Sequence, residues 1–288
     1  MNLNHALQFF PPNPAMRSVV HHFQWMRYDT KIHAQKIDML PSFGLGLIFY
    51  FWKGQPLVAN SPIIQQQTVP RVVVQGASTH PTQGSNFDDF DMVRVLFRPG
   101  QMHKVFSSIP MDAFCNEVPD ATVALDRGLQ DLYEQMQAEP LVTQKINLLD
   151  AWIYQRLQKN KIERAIFPQF SHLLEQPHRR PKTVQQIADH LGISRQHFSR
   201  LTKQQLGYSA KQALSIYQFN QIIPYFHQQT AISLSETAHR FGYADQAHFT
   251  RTFKRYVGTN PAAYLKAKGK VEIYGKSDDF LNSGMIFS

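Results

Sequence analysis

Cysteine is almost absent from this chain, Cys115 being the one thiol in 288 residues. One thiol makes no internal disulfide, which fits a reducing compartment and excludes a disulfide-stapled secreted scaffold. Long apolar runs are also missing. The longest, around Gly44–Trp52, falls far short of the roughly 20 residues that span a bilayer. The opening residues, MNLNHALQFFPPNP, place no basic stretch ahead of an apolar core and do not read as a secretory signal. A soluble cytoplasmic protein with no membrane partner is the expectation. Metal-ligand spacing is lacking as well. His21 and His22 are adjacent, so on a strand they face opposite ways, and His33, His80 and His103 are scattered. No Gly-rich phosphate loop is present. The sequence therefore points to no metal, no cofactor and no catalytic residue.

Acidic residues are scarce in one region only. From Pro177 to Lys270 there are 14 Lys and Arg against 3 Asp and Glu, a charge of +11. From Met1 to Gln176 there are 15 of each sign, and Val271–Ser288 holds one Lys against three acids, giving +9 for the whole chain. A neutral segment is thus joined to a basic one. Concentrated positive charge is what counterion release from a phosphate backbone rewards, although an anionic membrane would attract it too.

Hydrophobic periodicity divides the chain in the same place. Residues 1–100 read as short strands: the aromatic run Gly44–Trp52, the β-branched run Arg71–Gln75, and Asp91–Phe97. In the last of these, Met92 and Arg94 alternate with Val93, Val95 and Phe97. Prolines and glycines punctuate these runs, as in a small antiparallel barrel or sandwich. After Pro99 the period becomes helical, over Gly128–Ala138, Leu141–Leu157 and Ile162–Leu174. Gln176-Pro177-His178-Arg179-Arg180-Pro181 reads as a linker. The expected organisation is α+β: a β-rich part at 1–100 with helices at 101–176, a linker at 177–181, an all-α unit at 182–270 and a tail at 271–288, frayed over Gly275–Ser288.

Within the basic segment one pattern occurs twice, from Thr183 to Leu214 and from Ser233 to Leu265. In the first copy Val184, Ile187, Ala188 and Leu191 form a single apolar stripe. Gly192 suits the positive φ of a tight turn, and Ser194 is a helix N-cap. In the helix that follows, Phe198, Leu201 and Thr202 point inward while Gln196, Ser199, Arg200 and Lys203 face out. The second copy repeats the scheme, with Leu234, Thr237, Ala238 and Phe241 as the stripe, Gly242 at the turn and Asp245 as the cap. There Phe249, Phe253 and Val257 point inward, and Gln246, Thr250, Arg251, Lys254 and Arg255 point out. Two amphipathic hairpins with solvated faces are the plainer alternative. Two copies in register within a segment of +11 favour paired helix-turn-helix units instead. Gln and Arg make bidentate pairs with adenine and guanine in the major groove. Gln196, Ser199, Arg200, Gln246, Thr250 and Arg251 are therefore candidates for base contacts, and Arg195, Lys203, Lys254 and Arg255 for phosphate contacts. Ala210–Gln229 reads as a joining helix bent at Pro224, able to place the two reading helices in groove segments about 34 Å apart.

The segment Lys182–Lys268 resembles the DNA-binding domain of AraC/XylS-type transcription regulators. The resemblance is carried most specifically by Gly242-Tyr243, Asp245, His248-Phe249, Arg251, Phe253-Lys254, Gly258, Asn260-Pro261 and Tyr264. It implies seven helices in two helix-turn-helix units, with double-stranded DNA and RNA polymerase as partners, and the expected function is that of a transcription regulator acting as an activator. Thr202, Gln218 and Ile222 depart from the family pattern of Phe, Arg and Ala at those places, which bears on how the first unit packs. Regulators of this type commonly carry an N-terminal sensing or dimerisation barrel. Val95–Gln101 resembles the end of such a barrel in one subgroup, and is equally a plain strand-to-helix turn. A small-molecule effector among the aromatic residues of Leu47–Trp52 is one expectation, and a filled core controlled by a protein partner is another. Trp152, Ile153 and Leu157 are candidates either for a homodimer face or for packing on the barrel. The rival from another class is a DNA-repair enzyme with Cys115 as its reactive thiol. The neighbours Ala113, Phe114 and Val118 suit an inert buried thiol better.

Overall fold

The computed structural model describes residues 7–31, 36–41, 45–106, 110–160, 183–229, 231–267, 272–273 and 285–287. The expected helix at 162–174 and the linker at 177–181 lie outside them. The aromatic and β-branched runs form strands. β1 (Leu7–Phe10), β2 (Val20–Tyr28), β4 (Gly46–Trp52), β7 (Val72–Gln75) and β9 (Phe90–Phe97) make one antiparallel sheet in the order β1-β2-β9-β4-β7. β3 (Lys36–Met39), β5 (Val58–Asn60), β6 (Gln67–Thr68), β8 (Thr82–Ser85), β10 (Glu272–Ile273) and β11 (Met285–Phe287) make a second, in the order β10-β11-β3-β8-β5-β6.

The alternation in β9 separates two cores. Met92 joins Met26, Ile48, Tyr50 and Val73 of the first sheet with Ile37 and Ala59 of the second in the space between the sheets. Val93, Val95 and Phe97 face the other way and pack with the helices. Both faces of the first sheet are therefore buried. Arg94 is fully buried beside Ile48 and Gln24, where its Nη1 donates to Gln24 Oε1 at 3.3 Å. Burial pulls its guanidinium down to about 10.

Helices α1 (Ala121–Ala124), α2 (Gly128–Ala138) and α3 (Val142–Lys159) cover the outer face of the first sheet. Ile153 of α3 is fully buried, and Trp152 and Leu157 pack partly buried against the same core. All three thus pack on the core that the helices share with the first sheet. Arg98–Gln101 is a strand-to-helix turn, with Gly100 at φ 69° before a 3-10 turn at Met102–Lys104.

Among the described residues seven helices follow from Val184: α4 (Val184–His190), α5 (Arg195–Leu206), α6 (Ala210–Asn220), α7 (Ile222–Gln228), α8 (Leu234–Arg240), α9 (Gln246–Val257) and α10 (Pro261–Ala267). The expected single joining helix is two helices, α6 and α7, parted at Gln221. Pro224 lacks an N–H and its ring crowds the carbonyl four residues back, so the break falls one turn ahead of the proline rather than at it.

The tail also departs from expectation. Met285–Phe287 is not frayed but pairs antiparallel with Ile37–Met39 of β3, covering a sheet edge that otherwise exposes unpaired backbone groups. Glu272–Ile273 pairs with it in turn.

Candidate nucleic-acid interface

Each half of the basic region is built as its sequence dictates. In the first unit, Thr183 caps α4 in a capping box with Gln186. Ile187 and Ala188 bury the inner stripe, and Gly192 takes φ 66° at the turn. Ser194 Oγ then accepts the His197 N–H at 3.1 Å and starts α5. In the second unit Ser233 caps α8, Thr237 and Ala238 are fully buried, and Gly242 takes φ 80°. Asp245 Oδ1 accepts the His248 N–H at 2.6 Å and starts α9. Both second helices are 12 residues long and both end on a left-handed glycine. Gly207 N–H donates to Lys203 O at 3.1 Å, and Gly258 N–H to Lys254 O at 2.9 Å.

The inner faces are aromatic. Phe198 and Thr202 are buried in the first unit. Thr202 fills the place of a larger family residue and donates its hydroxyl to Ser199 O at 3.0 Å, so the polar group is satisfied. In the second unit Phe249 and Phe253 are fully buried against Phe226 of α7, and Phe253 meets Phe219 of α6 edge-on at 5.8 Å. Tyr256 reaches back to Ser215 of α6 at 3.0 Å. The joining helices therefore hold the second unit through a ring cluster although they are broken at Gln221. Gln218, at one departure from the family pattern, lies beside Gly242.

The outer faces are largely open to solvent. Arg195, Gln196, Arg200 and Lys203 on α5 are exposed, as are Gln246, Arg251, Lys254 and Arg255 on α9, while Ser199 and Thr250 are half-buried. Ala247 is exposed with only a methyl to offer. Arg200 makes one long intrahelical contact, Nη1 to Gln204 Oε1 at 3.5 Å. Among the described residues Arg251 has no hydrogen-bond or ion-pair partner. Lys203 differs: its Nζ is 3.8 Å from Asp112 of the N-terminal part.

That last contact was not legible in the sequence, and it belongs to a larger one. The 3-10 turn Met111–Phe114 packs on α5. Tyr208, just past α5, is fully buried. Its hydroxyl accepts the Ser78 N–H at 2.7 Å and donates to Ser78 O at 2.8 Å. Burial pushes that phenol well above its ordinary range, so it stays protonated and able to donate.

Cys115 lies beside this contact, half-buried. Burial, then Asp112 and Glu117, push its thiol up, the opposite of an activated nucleophile. Among the described residues no group of His, Cys, Asp and Glu is arranged to hold a metal, and no helix is long and apolar enough to cross a membrane.

Comparison with known proteins places these features. Residues 187–267 match a family model described as a helix-turn-helix domain. An uncharacterized HTH-type transcriptional regulator of Haemophilus influenzae is 28% identical over 121 residues, which are 42% of this chain. The chain spans 39% of that relative's length. Among solved structures, ToxT from Vibrio cholerae aligns with a TM-score of 0.47 at 9% identity, covering 91% of this chain and 98% of that one. The DNA-binding domain of AdpA, a global transcriptional factor solved in complex with a target DNA, aligns at 0.33 and 24% identity over 38% of this chain and 96% of its own. With two capped second helices that each end on a left-handed glycine, the segment 187–267 is a helix-turn-helix domain.

Proposed function

We propose that this chain is a sequence-specific, DNA-binding transcription regulator, acting as an activator in the reducing cytoplasm that its single cysteine suits. Two capped 12-residue helices, with exposed Arg200 and Arg251 at the same place in each and an exposed Gln in the first turn of each, carry this reading. Gln196, Ser199, Arg200, Gln246, Thr250 and Arg251 read base edges, while Arg195, Lys203, Lys254 and Arg255 hold phosphates and set orientation. RNA polymerase is the partner that an activator of this type requires. Selection of bound duplexes from random DNA tests the proposal. Two short conserved motifs at a fixed separation are expected, and recovery of no preferred sequence refutes it.

The N-terminal part is proposed as an effector domain. Between its sheets lies a cavity of about 80 Å³, more than a lone water fills. Leu40, Ile48, Tyr50, Ala59 and Val73 line it. Burial pushes the Tyr50 phenol up to about 12, so it stays neutral. Among the described residues no Lys or Arg lines the cavity, the carboxylate of Glu117 stands at its wall, and Gln75 there has a buried Oε1 with no partner. A small, largely apolar, uncharged molecule with one hydrogen-bond donor fits this wall. Thermal-shift screening of neutral and carboxylate-bearing compounds of similar size tests that class. Stabilisation by the neutral set is expected, and stabilisation by the carboxylates alone refutes it.

A further inference from the structure

The two left-handed glycines that end the reading helices face the same loop of the N-terminal part. A Cβ on Gly207 would lie 2.8 Å from the Ala77 Cβ and 3.0 Å from Met111 O. A Cβ on Gly258 would lie 3.7 Å from Pro81. Around the first glycine Tyr208 makes its paired bonds with Ser78. Near the second, Arg255 is close enough to His80 to help burial hold that imidazole down. Residues 76–81 thus pack on the C-terminal end of the first helix and lie beside that of the second, and the loop leaves their exposed Gln and Arg residues uncovered.

The loop is held tightly from behind. Asn116, at φ 62°, donates its N–H to Ala77 O at 2.7 Å and accepts the Thr79 N–H on Oδ1 at 2.8 Å. A Cβ on Gly76 would lie 2.3 Å from Phe114 O, so the backbone passes with no room to spare. Gly76, Ala77, Ser78 and Asn116 are also part of the cavity wall. One short segment therefore has the cavity on one side and both helix ends on the other.

We infer that the loop Gly76–Pro81 is a spacer gripping both helix-turn-helix units, and that occupancy of the cavity sets the offset at which the two reading helices meet DNA. This rests on the DNA-reading function proposed above and adds its regulation. The ligand acts by displacing the spacer. The close packing at Gly76 and Gly207 passes that displacement to the first unit, while the ring cluster under α9 keeps the second in place. A ligand that favours one loop position favours one spacing, and the matching operator favours the ligand in return.

The test uses the full chain and needs no ligand. Tyr208→Phe keeps the ring and removes both bonds to Ser78. Ala59→Leu fills the cavity from the far wall, since Ala59 is fully buried there. Amide hydrogen exchange at Ser78 is read alongside selection from random DNA in which the gap between the two motifs varies. In Tyr208→Phe, exchange at Ser78 should be on the order of tenfold faster. The preferred gap should broaden to neighbouring lengths with each motif's bases unchanged. Ala59→Leu should move Ser78 exchange and shift the preferred gap. Pro81→Ser, remote from the buried phenol, should broaden the gap too, and it serves if Tyr208→Phe does not fold. An unchanged gap in Tyr208→Phe or Pro81→Ser overturns the spacer role. Unchanged Ser78 exchange in Ala59→Leu overturns the link to the cavity. Failure of the wild type to select paired motifs sinks the DNA-reading proposal itself, a different outcome from paired motifs whose gap ignores the loop.

Discussion

Arg251→Ala probes the base-reading assignment most directly. Arg251 sits in the second turn of α9, exposed and without an intramolecular partner among the described residues. Removing it breaks no contact within the fold, and alanine is the better helix former, so stability should hold. A bidentate Arg–guanine pair discriminates against a wrong base by about 1–3 kcal/mol. That converts to a loss of roughly 5-fold to 160-fold on the selected duplex, with a much smaller loss on random duplex. Lys254 is the control, as a cation near the end of the same helix. Lys254→Ala should weaken both duplexes alike and flatten the plot of log K against log salt by about 0.9 for one lost phosphate contact. Lys203 should behave differently again. Its exposed ion pair with Asp112 already engages the ammonium, so Lys203→Ala should cost less than Lys254→Ala, by up to about 1 kcal/mol. Anisotropy titrations on both duplexes across a salt series measure all three. Equal losses on selected and random DNA for Arg251→Ala would show the guanidinium to be one more phosphate contact.

Further predictions concern the units themselves and the N-terminal core. Asp245→Ala removes the N-cap of α9 and should cost about 1 kcal/mol in urea unfolding. Asp245→Asn keeps the cap and should recover most of that, so equal losses would mean the charge at the helix end was responsible. Burial, then His21 and Arg94, lower His22 from 6.5 to about 3. The unfolded chain therefore binds the extra proton between those values, and stability falls as pH drops through them. From about pH 7 to about pH 5, where most carboxylates stay ionised, the urea midpoint should fall. His22→Gln should flatten that fall while leaving the share of His80 and His103, which burial also lowers. An unaltered pH slope in His22→Gln would rule out the buried imidazole as its source.

The parts legible in the sequence are those governed by local rules. Ser194 and Asp245 read as caps because a short acceptor ahead of an apolar period has few other uses, and both cap. Gly192 and Gly242 read as turns because positive φ is nearly exclusive to glycine, and both take it. The alternation in β9 told which face Met92 and Arg94 share. What stayed hidden depends on distance along the chain. Tyr208 has no local mark of its role, because it bonds a residue 130 positions away. Gly76–Pro81, with its Ser, Thr and Pro, has the composition of any surface loop. The pairing of Met285–Phe287 with β3 left no local sign either, since three apolar residues near a chain end also suit fraying. Pro224 announced a disturbance of the joining helix but not its position at Gln221, because the clash acts one turn upstream.

Hydrophobic continuity across the two halves leads to a last prediction. Domains that move freely usually meet on modest polar surfaces. Here Ala77, Met111 and Phe114 from the N-terminal part are buried in one cluster with Leu206 and Tyr208 beside the first reading helix. The same cluster includes Phe198, Phe219 and Phe253. Separating the halves would expose the Tyr208 ring and leave Ser78 without its partner, so the cost of parting them approaches that of unfolding either one. Calorimetry should therefore show a single transition. Met111→Ala, at a site only 1% exposed, removes buried volume at the junction and should cost about 2–5 kcal/mol. That loss should lower the one transition as a whole. Two resolved transitions in the wild type, with only the lower displaced by Met111→Ala, would mean that the shared core does not couple the halves.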